Sequence, residues 1–431
     1  MARAGILGAA TAAGVAFCAG AAAAQEVPDP VFEVQQAFTR VEGGDPFALR
    51  EQPELLPVGV RLGQFILRPS VEVSALADSN VRLLPFDNDG DVGLVVAPRV
   101  TLNSVGGGRR VRAFAQASAT RFVSKTTDNV ETLYGGASID QPIGSTGSIR
   151  ANLEGGRLIE DRTAVFTPRD IRSPVEYDRV IGTLSAVNTF GRLVLAPTVQ
   201  VDRLAFHDGR RASDPREIFV QRDRSLVRVS TSVLTGYLLS EATALYAGAD
   251  VNVRDYDIVR ALDRDSRGYA VYAGARFQPT PLTRLDVAVG YLEQSYADPL
   301  TDPKGLYLRA ALDWLPTTLT RVRIEANRDA PETGALQLGG SVRTRLSAEV
   351  RHELLRNLNL EAGVELQRFR IADLDRTDTR FLATAGGRYN ANRMFDVFAR
   401  AEQVIGRGGP GAGANLDFDR TRLVAGVAFK L

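Results

Sequence analysis

The chain has 431 residues, 24% of them charged, with 52 basic against 51 acidic side chains and a net charge of +1. That balance offers no basic surface for nucleic acid. Two histidines and one cysteine leave little material for a metal centre, and no cofactor is expected.

Residues 1–24 read as an export signal. Arg3 supplies a positive start, Ala4 to Ala23 a small-residue apolar stretch, and Ala22-Ala23-Ala24 before Gln25 a cleavage site. Cys18 lies inside this stretch, so the mature chain is expected to carry no thiol or disulfide. Residues 25–62 are rich in Pro, Glu and Asp, with a short helix expected over 31–39. They form a periplasmic segment that plugs a lumen, contacts a partner or stays disordered. Lysine is confined to Lys125, Lys304 and Lys430, so nearly every basic group is an arginine. Arginine suits carboxylate and phosphate partners, although a GC-rich genome produces the same bias.

Beyond residue 24 no stretch approaches the ~20 consecutive apolar residues of a spanning helix. Instead, residues 63–431 repeat segments of alternating apolar and polar residues separated by breaks. Strands are expected over 65–77, 92–104, 111–122, 131–142, 148–159, 176–189, 192–205, 222–237, 242–255, 267–278, 283–296, 306–315, 320–329, 337–352, 357–369, 380–389, 394–404 and 416–431. That makes eighteen, with sixteen as the lower bound. In 111–122, Val111, Ala113, Ala115, Ala117 and Ala119 oppose Arg112, Gln116, Ser118 and Thr120, with Phe114 out of pattern. In 320–328, Val322, Ile324 and Ala326 oppose Arg321, Arg323, Glu325 and Asn327.

The breaks alternate too. Long ones (81–91, 123–130, 160–175, 206–221, 256–266, 297–305, 330–336, 370–379 and 405–415) take turns with shorter ones, the break at Gly106 coming nearest in length. Strands with one apolar and one polar face, joined by short turns at one end and long loops at the other, describe an all-β class. The specific form is a transmembrane antiparallel up-and-down β-barrel in a bacterial outer membrane. A chain that starts in the periplasm then has both termini and the short turns there, and its long loops outside.

Leu423, Ala425, Val427, Phe429 and Leu431 carry the alternation to the chain end. Phe429 and Leu431 thus form an assembly signal for the barrel-assembly machinery, although the usual final residue is aromatic. Phe65, Phe122, Tyr134, Phe190, Phe206, Tyr237, Tyr296, Trp314 and Phe395 are candidates for interfacial aromatic girdles.

Ahead of and within the first strand stand Pro57, Gly59, Arg61, Gly63 and Phe65, then Pro69-Ser70-Val71-Glu72 and Asp78-Ser79-Asn80-Val81. This pattern, over roughly residues 53–105, resembles a family of outer-membrane β-barrel porins common in alphaproteobacteria and often found beside exopolysaccharide genes. Family members usually place an aromatic where Ala77 stands. The resemblance implies a porin-like protein, hints at polysaccharide export and its partners, and brings no catalytic residues.

Candidate chemistry is sparse. His207 opens a long loop with Asp208 and Ser213 nearby, while His352 closes a strand; a hydrolase needs base, nucleophile and orienting group together. Asp87-Asn88-Asp89-Gly90-Asp91 has its glycine at position four and no glutamate at position twelve, so the hand-type calcium loop fails. A solvated turn is the better reading, with bridging of lipopolysaccharide phosphates through divalent ions as the alternative. Gly106-Gly107-Gly108-Arg109 is a tight turn, since no helix follows it.

The polar strand faces carry more. Inward positions are expected at Arg112, Arg150, Glu154, Arg228, Asp250, Arg254, Arg276, Asp286, Arg309, Arg321, Arg323, Glu325, Glu349, Arg388 and Arg400. Asp313, Arg343, Arg345, Arg351, Glu361, Glu365, Asp396, Glu402 and Arg422 join them. An arginine facing lipid at mid-depth costs about 2–4 kcal/mol, so these charges must face water or each other. The expected function is a non-enzymatic channel for hydrophilic solutes, to which the family resemblance adds a link with exopolysaccharide export. The alternatives are a non-conducting barrel that docks an export complex and, more remotely, a barrel hydrolase. Outer-membrane lipid and lipopolysaccharide are the expected surroundings.

Overall fold

The computed structural model describes residues 54–84, 89–106, 108–163, 170–259, 262–298, 300–332, 340–409 and 417–431. The signal, the segment 25–53 and Asp87-Asn88 lie outside the described residues.

Eighteen antiparallel strands follow one another around a ring. They are β1 (Phe65–Asp78), β2 (Asp91–Ser104), β3 (Arg110–Phe122), β4 (Val130–Ile143), β5 (Gly147–Ile159), β6 (Glu176–Phe190), β7 (Leu193–Phe206), β8 (Leu226–Ser240) and β9 (Thr243–Tyr256). The second half is β10 (Ser266–Thr280), β11 (Thr283–Tyr296), β12 (Lys304–Thr317), β13 (Thr320–Asp329), β14 (Ser341–Leu355), β15 (Leu358–Ile371), β16 (Arg376–Asn390), β17 (Phe395–Arg407) and β18 (Phe418–Lys430). A short lead-in strand, Val60–Leu62, pairs with the start of β1.

β1 also pairs with β18, from Ser70↔Lys430 to Asp78↔Arg422, so the ring of eighteen strands closes on itself. Closure removes the open sheet edge whose unpaired backbone groups a bilayer does not tolerate. Stepping from partner to partner around the ring returns to β1 about 22 residues from the start. For eighteen strands that stagger implies a tilt of about 40° and a backbone radius of about 17 Å.

The alternation seen in the sequence becomes the two faces of the wall. On β7, Leu193, Leu195, Val199 and Val201 are exposed while Val194, Ala196, Thr198, Gln200 and Asp202 between them are buried. Exposed apolar side chains face lipid, and the polar set faces the lumen. Phe114 fits this parity after all: it points inward and tilts against Tyr134, ring centroids 6.0 Å apart.

Two expectations need correction. Phe122 and Tyr134 are buried inside, Phe206 stacks inward on Tyr177, and Tyr296 shares the inward parity of Asp286 and Gln294. These four are therefore not girdle residues. The exposed outer aromatics Phe190, Tyr237, Phe277, Trp314, Tyr389 and Phe429 lie near the short-turn end, and Tyr269, Tyr291 and Phe381 lie toward the long-loop end. Secondly, the break expected over 370–379 shrinks to 372–375, shorter than the 105–109 turn. Pairing runs through to Ile371↔Arg376, and the connection closes in one 3-10 turn with Asp375 at φ 45°.

Candidate functional site: the lumen wall

The inner face is not uniform. From β6 to β12 the inward side chains close over one another. Asp202, almost fully buried, accepts two bonds from Arg179 (2.9 and 3.1 Å) and one from Arg228 (2.6 Å). Arg276 meets Asp286 at 2.7 and 3.0 Å, and Tyr246 donates its hydroxyl to the same carboxylate. Tyr272 stacks on Tyr307, centroids 4.7 Å apart, and its hydroxyl reaches Asp250 at 3.4 Å. Arg309 is buried in the same wall.

Glycine shapes this packing at two positions. A Cβ on Gly248 would stand 2.4 Å from the Tyr272 ring, and one on Gly274 2.4 Å from the Tyr246 ring. Each tyrosine thus lies along the wall over a neighbouring strand's bare backbone rather than across the lumen. Leu234, Ala196 and Ala288 complete an apolar cluster around them.

From β13 to β16 the inward side chains remain half-exposed over most of their height. Arg323 pairs with Glu325 (2.5 Å), Arg343 with Asp329 (2.5 Å), and Arg345 with Glu365 (2.6 Å). Glu349 pairs with Arg351. Asp313, on β12, sits at the border of the two regions and gathers Arg284 (3.1 Å), Arg321 (2.8 Å) and Arg323 (3.3 Å). Arg388 bridges Glu72 (2.7 Å) and Asp396 (3.0 Å), and Lys430 meets the other side of Asp396 at 2.6 Å. On β4 and β5, Arg150 pairs with Asp140 at 2.8 Å, while Glu154 accepts from Tyr134 and Asn152, both at 2.8 Å. Arg112, Arg400 and Glu361 also lie on inward positions and have no ion-pair partner among the described residues.

Sequence reading missed Arg179 and Asp202, the most buried ion pair. The upper part of β6 carries charge on both faces, Glu176 and Asp178 outward and Arg179 inward, which hides the period. Tyr177 and Ile181, flanking Arg179 at a spacing of two, were the available signal.

At the long-loop end two segments fold over the mouth. Asp161, Arg162 and Thr163, just past β5, are buried. Arg162 pairs with Asp128 at 2.7 Å, Arg420 of β18 stands 3.9 Å from Asp161, and Arg380 of β16 donates to the Thr163 carbonyl at 3.3 Å. Burial pushes the Asp161 carboxyl up, but the cations of Arg420, Arg380 and Arg422 outweigh it and hold it below the ordinary value. From the opposite side, Glu332 pairs with Arg254 and stands 3.5 Å from Arg264, while accepting from the Tyr256 hydroxyl. Burial opposes its ionisation; Arg254 and Arg264 prevail and lower its pKa.

The candidate hydrolase residues are bonded apart. His207 Nε2 meets Asp178 at 2.8 Å on the outer rim, Ser213 donates to Asp170 at 2.8 Å, and Asp208 receives the Gln221 and Arg222 amides. His352 meets the Thr320 hydroxyl at 2.9 Å. Asp89 pairs with Lys125, and Asp91 accepts the Ser124 and Lys125 amides. Among the described residues no group of three metal-ligating side chains converges.

A closed eighteen-stranded barrel with a lipid-exposed apolar exterior and a charged lumen defines an outer-membrane porin-like barrel. Residues 52–431 match the family described as "Putative beta-barrel porin 2", and the chain belongs to it. It resides in the bacterial outer membrane. Among solved structures, the outer membrane protein OpdK from Pseudomonas aeruginosa is 11% identical, with 85% of this chain and 99% of that one covered at a TM-score of 0.44. OpdO from the same organism is 12% identical, covering 89% and 99%, at 0.45. The siderophore receptor PirA from Acinetobacter baumannii is 7% identical, covering 84% and 80%, at 0.46. A comparison with curated proteins finds no match.

Proposed function

We propose that the barrel is a channel for hydrophilic solutes, and that solutes travel along the half-exposed wall of β13–β16. The observation that carries this reading is the contrast within the lumen: most inward charged side chains on β13–β16 keep access to water (Asp378 is the buried exception), whereas most of those on β6–β12 are buried, with Arg228 and Asp250 half-buried. Paired charges of both signs hydrate a path without fixing one strong field, so the channel screens weakly by charge. It performs no chemistry of its own.

The chain enters through an export signal, residues 1–24, and its termini and short turns lie in the periplasm. The supporting feature is that Val60–Leu62 and the end of β18 both stand at the short-turn end. Phe429, outward and packed on Phe395 at 5.3 Å, and Leu431 present the terminal pattern for the assembly machinery. Exopolysaccharide in transit is the cargo we assign on the family resemblance.

Planar-bilayer recording of the mature protein tests this. Stable ohmic steps with weak ion selectivity are expected; a folded barrel that inserts yet stays silent, even without residues 25–62, contradicts it. The second reading is a non-conducting barrel that docks an export complex through residues 25–62. The cross-mouth contacts of Asp161 to Thr163 favour it, and the same silent recording would establish it.

A further inference from the structure

The outer face at the long-loop end carries a row of side chains that conduction does not use. On β13 to β17 the outward residues Arg328, Thr344, Arg368, Thr379 and Arg407 are successive cross-strand partners. Three arginines thus alternate with two threonines along one line. Neighbouring strands lie ~4.8 Å apart, so the arginines stand roughly 10 Å from one another. Arg370, two residues from Arg368, adds a fourth cation on the same face.

Directly below runs the next outward row: Ala326, Leu346, Leu366, Phe381 and Ile405. It is entirely apolar, and Ile324, Ala348, Val364 and Ala383 continue it downward. The cations therefore mark the line where the lipid-facing belt ends.

Other rim arginines are neutralised within the protein. Arg121 pairs with Glu131, Arg157 with Asp178, and Arg203 with Asp257. Arg407 shares its charge with Asp419 at 3.0 Å. Among the described residues Arg328, by contrast, reaches only the Thr344 hydroxyl at 3.3 Å, and its Nε is buried without an acceptor. Neither Arg368 nor Arg370 has a carboxylate partner among the described residues. Three guanidinium groups with no carboxylate partner among the described residues, beside hydroxyl donors on the border of an apolar face, are arranged for an anion that arrives in the plane of the membrane.

We infer that this row docks a phosphorylated glycolipid headgroup of the outer leaflet. Guanidinium forks take two phosphate oxygens each, and the ~10 Å spacing between arginines suits a headgroup with two separated phosphates. Acyl chains then lie on the apolar rows beneath. A soluble anion has no use for that apolar floor. The inference rests on the orientation proposed above, with long loops outside.

The test uses the full mature protein in nanodiscs, titrated with diphosphoryl lipid A, its dephosphorylated form and phosphatidylglycerol, with binding read by native mass spectrometry. Diphosphoryl lipid A is expected to bind about tenfold more tightly than either comparison lipid. The triple variant R328Q/R368Q/R370Q should lose about tenfold, whereas the rim control R157Q/R203Q should change less than about twofold. Heat-modifiable gel mobility and unchanged conductance show that the variants are folded, and a silent barrel that still binds lipid A leaves the inference standing while the channel reading falls. Wild-type affinity in the triple variant overturns the inference. So does tighter retention of phosphatidylglycerol, or displacement of lipid A by equimolar inorganic pyrophosphate.

Discussion

On β6–β12 the inward side chains are closed over one another, whereas on β13–β16 side chains of the same parity and similar charge stay half-exposed. The difference lies in what accompanies the charges. The first region places tyrosines over glycines, as at Tyr272 on Gly248 and Tyr246 on Gly274, and fills between them with Leu234 and Ala196. The second offers Ser347, Thr384 and Gly363 between its ion pairs, which leave room for water. One region of the lumen behaves as a protein core and the other as a wetted surface. A buried pair and an exposed pair of identical chemistry should then respond very differently to mutation.

The largest effect is expected at Asp202. Replacing it with Ala strands Arg179 and Arg228 in a buried site and should destabilise the barrel by about 3–5 kcal/mol, read as a lowered urea midpoint in detergent. Next comes Gly248→Val, which drives a branched side chain into the Tyr272 ring and should cost about 1–3 kcal/mol. If Gly248→Val unfolds like wild type, the tyrosine-over-glycine packing is not what seals that wall. Glu349→Ala, in a pair whose members are 36% and 43% exposed, should change stability by less than about 1 kcal/mol. Its signature is instead a shift of reversal potential toward anions, because a water-facing carboxylate has been removed.

The mouth adds a pH test of the same contrast. Asp161 sits in a buried crossing and its carboxyl is held below the ordinary value by arginine cations. A depressed folded-state pKa contributes stability in full above the ordinary carboxylate range, lost as pH falls through the lowered value, below about pH 4. Thermal stability should therefore drop over that acid window. Asp161→Asn should flatten the drop and leave the neutral-pH value lower than wild type. An unchanged acid limb in the variant shows that Asp161 is not the group responsible.

Much of the architecture was legible in the residues because a barrel strand repeats its period of two over ten or more positions. The first strand was expected to end at Ala77 and ends at Asp78; β13 keeps the limits expected for it, 320–329. Limits slipped where side chains intervene. β8 was expected from Arg222 but starts at Leu226, since the Asp208 carboxylate captures the Gln221 and Arg222 amides and holds Arg222–Arg224 in a 3-10 turn. The inward charges at Arg254, Arg276 and Arg323 followed from alternation alone. Which of them are sealed and which are wet did not, because both regions share one alternation. That distinction depends on side-chain volumes matched between paired strands, such as Tyr246 against Gly274, which the period of a single strand does not report. The inward aromatics Phe122 and Tyr134 were misplaced for a related reason: proximity to a strand end says nothing about face.

Because Cys18 is the only cysteine and falls within the expected signal, single thiols can be placed on each region of the lumen. The decisive measurement is current through a planar bilayer before and after a negatively charged methanethiosulfonate is added to Ser347→Cys on β14 and to Ser232→Cys on β8. Both positions face inward, the first half-exposed and the second buried. Modification should reduce the Ser347→Cys current and leave the Ser232→Cys current unchanged. Equal block at both positions, or block at Ser232→Cys alone, would contradict a solute path along β13–β16.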